Sequence, residues 1–227
     1  MEAIVEDAVE MNVESIRMVL NGPLALFKGS VPLELPPSRK VRALLAYLAL
    51  SPRAVARSTL CELLWEVPND PRGELRWCLS KLRRVVGPTR LITRDDTVAL
   101  DISGWTIETD GDGELMEGLD VDRSPAFQAW LTAQRRAHRE RRLKDLEQRA
   151  HADDMVALEQ WLQAAPFDRR AHERLLTVLA RRGWIEEGKA HVAAACKRFV
   201  DEGLDASFLR DAWRAAKGTR YNDFGMA

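Results

Sequence analysis

Arg72-Gly73-Glu74-Leu75-Arg76-Trp77-Cys78-Leu79-Ser80-Lys81-Leu82-Arg83-Arg84-Val85-Val86 decides how this chain reads. At about 100° per residue, Leu75, Leu79, Leu82 and Val86 fall in one narrow arc. Gly73, Trp77, Ser80, Lys81 and Arg84 occupy the opposite arc, with Arg76 and Arg83 on one flank. The pattern predicts a helix over 72–86 with one apolar face and one cationic face that also carries an indole. Gly87-Pro88 stops it. Leu91–Arg94 and Thr97–Leu100 then flank Asp95-Asp96, the pattern of a tight β-hairpin.

Upstream, Val41, Leu44, Leu45 and Leu48 recur at i, i+3, i+4 and i+7, predicting a helix capped by Ser38 and stopped at Ser51-Pro52. A second helix is expected from near Thr59, with Glu62 at capping-box spacing and Leu60, Leu63, Leu64 and Trp65 inward. Val67–Pro71 reads as a loop. Earlier still, Ile16–Leu20, Leu24–Phe27 and Val31–Leu35 are short β-like runs. They are separated by Asn21-Gly22-Pro23 and Lys28-Gly29-Ser30, which predicts a small antiparallel sheet of two or three strands.

Charge is distributed unevenly. From Ser38 to Arg94 there are 12 Lys/Arg against 4 Asp/Glu, whereas Asp95–Asp122 holds 10 acids and no Lys or Arg. The net charge of −1 over 227 residues hides both. A local cationic module inside a neutral chain points to a polyanion, with double-stranded DNA as the leading partner. A helix fits the major groove, where base edges distinguish all four base pairs. Ser80, Lys81 and Arg84 supply hydrogen-bonding groups, Trp77 an apolar contact for a thymine methyl, and Arg76 a contact to guanine or phosphate. The helix starts at Ser38 and Ser58 offer backbone N–H groups to phosphates, and Arg72, Arg39 and Lys40 are further candidate DNA-binding residues. Arg90 and Arg94 at the hairpin are candidates for phosphate or the minor groove.

The acidic stretch, with an edge strand at Trp105–Ile107, reads as a connector. Beyond it, helices are expected near Pro125–Ala152, Asp154–Ala165, Asp168–Arg182, Ile185–Glu202 and Ser207–Lys217. Pairs beginning near Asp154 and Ile185 are about one tetratricopeptide unit apart, without a clean match to that repeat's consensus. Trp130, Trp161, Trp184 and Trp213 fall in this half, mainly as packing residues. The basic run Arg135–Lys144 reads as a solvated face with salt bridges.

Other chemistry finds little footing. Glu108, Asp110, Asp112 and Gly113 match a calcium loop loosely, but Leu119 stands where the bidentate Glu belongs. His138, His151, His172 and His191 are dispersed. No phosphate-binding loop or nucleophile elbow is present, so neither an enzyme nor a cofactor is expected. Cys61, Cys78 and Cys196 read as reduced, buried thiols. The N-terminus lacks a signal-peptide pattern, and the longest apolar run, Ala43–Leu50, is far short of a membrane span. A cytoplasmic protein without membrane contact is expected. The acidic first 14 residues and the Thr219–Ala227 tail are expected to be mobile.

Leu75–Arg84, preceded by Leu63-Leu64-Trp65, resembles the DNA-binding domain of the antibiotic regulatory protein family. That domain is an OmpR-type winged helix: β-sheet, three helices, hairpin. Gly113-Glu114-Leu115-Met116-Glu117-Gly118-Leu119-Asp120 followed by Phe127-Gln128-Ala129-Trp130-Leu131 resembles the opening of the bacterial transcriptional activator domain, an all-helical, tetratricopeptide-like module. The resemblance spans about residues 15–218. It implies an α+β, mainly α, fold, with a winged helix-turn-helix at 15–107, an acidic connector at 108–123 and a tetratricopeptide-like domain at 124–218. It also implies that Arg76, Trp77, Ser80, Lys81 and Arg84 form the recognition face; Trp77 departs from the smaller residue usual there. Family activators bind direct repeats and recruit RNA polymerase, so self-association into a homo-oligomer or polymerase contact is expected of the helical half. The alternative is a protein-interaction scaffold whose winged helix no longer binds DNA.

Overall fold

The computed structural model describes residues 15–66, 70–111, 113–151 and 153–223, with side chains to 218. The expectations for the first 14 residues, most of the Val67–Pro71 loop, Asp112 and the last side chains lie outside the described residues. The chain divides into two compact units, Met1–His138 and Arg139–Ala227.

In the first unit, β1 (Ile16–Val19), β2 (Ala25–Lys28) and β3 (Val31–Leu33) form an antiparallel meander. Gly29, at a φ of 59°, takes the left-handed conformation needed to turn β2 into β3. A fourth strand, β7 (Thr106–Glu108), joins parallel to β1, giving the order β3-β2-β1-β7. The sheet is therefore larger than the two or three strands expected, and mixed. Arg17 secures the added edge: its guanidinium pairs with Glu108 at 2.9 Å and lies 4.2 Å from the Phe27 ring centroid.

Three helices follow. Helix α1 (Arg39–Leu50) buries Val41, Leu44, Leu45 and Leu48 as their spacing requires. Ser38 stands at its N-cap without a side-chain hydrogen bond. Helix α2 (Arg57–Leu64) begins two residues before Thr59, and its N-cap, Ala56, has no side chain to cap with. The reason is a two-residue strand, β4 (Val55–Ala56), that pairs with the hairpin. The Arg57 backbone N–H donates to the Asp96 carbonyl at 2.8 Å, so sheet contact sets the start that the capping box was expected to set. Helix α3 (Pro71–Val86) has Pro71 in its first turn and is capped by Asp70, whose carboxylate accepts from the Gly73 N–H at 2.8 Å. Arg83 and Arg84 complement the dipole at its last turn. The hairpin β5 (Leu91–Arg94) and β6 (Thr97–Leu100) has the expected register, Arg94 opposite Thr97, with β4 alongside β6.

The acidic stretch contributes to this core. Leu115, Met116, Leu119 and Val121 are buried with Phe127 and Leu131 from the first half of α4 (Pro125–His151). Ser124 donates its hydroxyl to the Leu64 carbonyl at 2.6 Å, tying the start of α4 to the end of α2. Arg135, read as a solvated cation, donates to the Leu115 and Met116 carbonyls, both at 2.9 Å, and pairs with Glu114. Trp130 packs on Tyr47 and Phe127, so it serves this unit.

The second unit contains the rest of α4 with α5 (Met155–Ala164), α6 (Arg169–Arg182), α7 (Ile185–Asp201) and α8 (Ser207–Asp223). Asp154 and Asp168 cap α5 and α6, and Gly183 ends α6 with a φ of 78°. Trp161, Leu176, Phe199, Leu209 and Trp213 fill the core, while Trp184 is exposed.

Candidate nucleic-acid interface

The apolar stripe of α3 is fully occupied by the fold: Leu75, Cys78, Leu79, Leu82 and Val86 are all buried. Burial raises the Cys78 thiol to about 11, so it stays protonated and packs as a small apolar group. Desolvation also raises Cys61. All three cysteines are free.

The other face is open. Arg72, Arg76, Trp77, Ser80 and Arg84 are exposed, and Trp77 retains 49% of its surface. Lys81 is half-buried, with its ammonium 5.3 Å from the Trp77 ring centroid, a cation–π geometry. Arg76 approaches Asp70 only to 3.9 Å, with both side chains largely in water, so that pair adds little. Arg83 turns toward the hairpin and reaches the Thr93 hydroxyl at 3.4 Å.

The remaining candidates lie at the edges. Arg39 is exposed in the first turn of α1, and Ser58 in the first turn of α2. Lys40 is half-buried, its ammonium 5.1 Å from the Trp65 ring centroid. Arg94 is exposed at the hairpin turn. Arg90 does not reach outward as expected. It donates to the Ser103 carbonyl at 2.7 Å and pairs with Asp101 at 3.4 Å, bracing the base of the hairpin. Hydrogen bonds from Ser103, with Arg90 adding to them, hold Asp101 below its usual carboxylate range.

One contributor escaped the sequence reading. Arg57, Arg72, Leu75, Arg76 and Asp96 line a single cavity of about 190 Å³. Arg57 lies outside the helix that the pattern beginning near Thr59 predicts. Val55, β-branched and followed by a small residue opposite the hairpin, was the available signal.

Among the described residues, no group of three or more His, Cys, Asp or Glu side chains is placed to hold a metal ion. No described helix is long and apolar enough to cross a membrane. The histidines are less dispersed than the sequence suggests: His172 and His191 meet at 2.9 Å in the second unit.

No family model matches the sequence. Nor does any curated protein. Among solved structures, the chain is similar to one described as Mycobacterium tuberculosis EmbR in complex with low affinity phosphopeptide. The TM-score is 0.57 at 18% identity, over 92% of this chain and 70% of that one. Likeness at that identity concerns architecture, and the architecture is shared: a winged helix followed by a helical domain, mainly α with small sheets.

Proposed function

We propose that this chain is a sequence-specific, double-stranded DNA-binding transcription regulator. Helix α3 enters the major groove, and the β5–β6 hairpin meets adjacent backbone. The observation that carries this reading is the division of α3. Its apolar stripe is used up in the core, yet Arg72, Arg76, Trp77, Ser80 and Arg84 remain exposed. Such a face combines charge for phosphates with donors and an apolar group for base edges. Likeness to the EmbR structure, together with the resemblance of Leu75–Arg84 to the antibiotic regulatory protein family, supports a regulator over other uses of this fold. The helical unit is assigned to protein contact, with self-association and RNA polymerase as the candidate partners.

Selection of bound sequences from a random duplex library tests the reading directly. An enriched motif is expected, and Lys81→Ala with Arg84→Ala should abolish preference for it while circular dichroism stays unchanged. Unaltered preference removes α3 as the reading helix. Absence of affinity for random duplex even at low salt favours the scaffold alternative.

A further inference from the structure

The cavity beside α3 brings together groups from three elements. Arg57 opens α2, Arg72 and Arg76 lie one turn apart on α3, and Asp96 belongs to the hairpin turn. The bond from the Arg57 N–H to the Asp96 carbonyl fixes two of its walls relative to each other. Three guanidinium groups against one carboxylate leave a formal excess of two positive charges.

These arginines differ from those that hold the fold. In the second unit Arg170 bonds to Asp168 and Glu147, Arg174 to Asp153, and Arg149 to Asp154, all at 3.0 Å or less. Among the described residues, no ion pair or hydrogen bond engages the guanidinium of Arg57 or Arg72, and Arg76 has only its distant approach to Asp70. Gathering three like charges against a single lining carboxylate opposes folding, so such a cluster points to an anion supplied from outside. Guanidinium groups suit phosphate oxygens in particular, through paired N–H donors in a rigid plane.

Position on the helix separates this cavity from base reading. At about 100° per residue, Arg72 and Arg76 lie with Arg83 on the flank adjoining the buried stripe. Ser80, Arg84 and Trp77 centre the outward face. With the outward face in the groove, the flank meets the sugar–phosphate wall.

We propose that the cavity lined by Arg57, Arg72, Arg76 and Asp96 seats one phosphodiester of the DNA backbone. Arg57 is a phosphate-binding residue, and Asp96 is an opposing charge that limits the hold. The inference rests on the DNA-binding reading and adds to it a specific contact outside α3.

The test uses the full chain and a random duplex, with affinity followed by fluorescence anisotropy across a salt series. Arg57→Gln should lower affinity about tenfold at low salt. It should also flatten the slope of log K against log salt by about 0.9, the loss of one neutralised phosphate. Asp96→Asn should tighten binding more than Asp95→Asn, its neighbour outside the cavity. An unchanged slope in Arg57→Gln, while Arg84→Ala still weakens binding, overturns the phosphate seat and leaves DNA binding standing. Absence of affinity for the duplex in the unsubstituted chain, even at low salt, overturns DNA binding itself. Should Arg57→Gln fail to fold, the two Asp variants decide alone, and equal affinities overturn the seat.

Discussion

His172, buried, and His191, half-buried and 19 residues away in sequence, form a pair in the second unit. His172 Nε2 lies 2.9 Å from the Pro166 carbonyl, which can only accept, so that nitrogen carries a proton. His172 Nδ1 then accepts from His191 Nε2. Burial lowers both rings, His191 to about 4, with His172 and Arg198 adding their charge. A histidine held neutral contributes its full stability above the unfolded value of 6.5 and loses it as pH falls toward 4. Denaturant unfolding at pH 7 and pH 4.5 should therefore show a loss of about 2 kcal/mol from the pair, mostly at His191. In His191→Gln, whose amide can still donate to His172, the loss should shrink; an equal loss would remove the pair as its source. Trp77 was legible at this scale because period alone turns it outward. The histidine pair was not, since its adjacency exists only once α6 and α7 pack. Trp77→Ala should change unfolding stability by less than about 0.5 kcal/mol yet weaken binding to the selected duplex. Replacing thymine with deoxyuracil at the contacted position should weaken wild type several-fold and the variant not at all.

Elements whose ends are fixed by nearby residues could be read well; those fixed by a distant strand could not. Asp70, Asp154 and Asp168 cap helices close to where the pattern placed them, because a cap bonds within its own first turn. Gly87 and Gly183 end helices for an equally local reason. Strand β7, expected at Trp105–Ile107, lies one residue later at Thr106–Glu108, and only its parallel pairing with β1 was hidden; β4, two residues long, depends on β6 and had no more than the β-branched Val55 to announce it. Packing between helices has its own hidden demand at Gly188 in α7. A Cβ there would stand 2.2 Å from the Trp213 ring. Helix propensity favours Ala over Gly by about 1 kcal/mol, whereas forcing the indole aside costs about 1–3 kcal/mol. Gly188→Ala should therefore lower the melting temperature, and a rise would show that Trp213 moves freely.

At the scale of the molecule, the mainly α fold, a winged helix before a helical domain, was legible in resemblance, and the cationic stretch Ser38–Arg94 in composition. The acidic stretch was read by its charges, but its apolar residues matter as much. Leu115, Met116, Leu119 and Val121 turn inward, while Asp110, Glu114, Glu117, Asp120 and Asp122 face water. A fragment of residues 15–138 should accordingly unfold cooperatively. One ending at residue 107 should expose Phe and Leu partners of that core and bind a hydrophobic dye; equal behaviour of the two would show the stretch to be dispensable. The parallel pairing of β1 with β7 carries a consequence for synthesis. Arg17 and Glu108 are separated by 91 positions. At translation rates of about 5–20 residues per second, β1 waits on the order of ten seconds on the ribosome for its second neighbour. Throughout that interval one margin of the nascent sheet is open, and a chaperone that shields strand margins would find its client there.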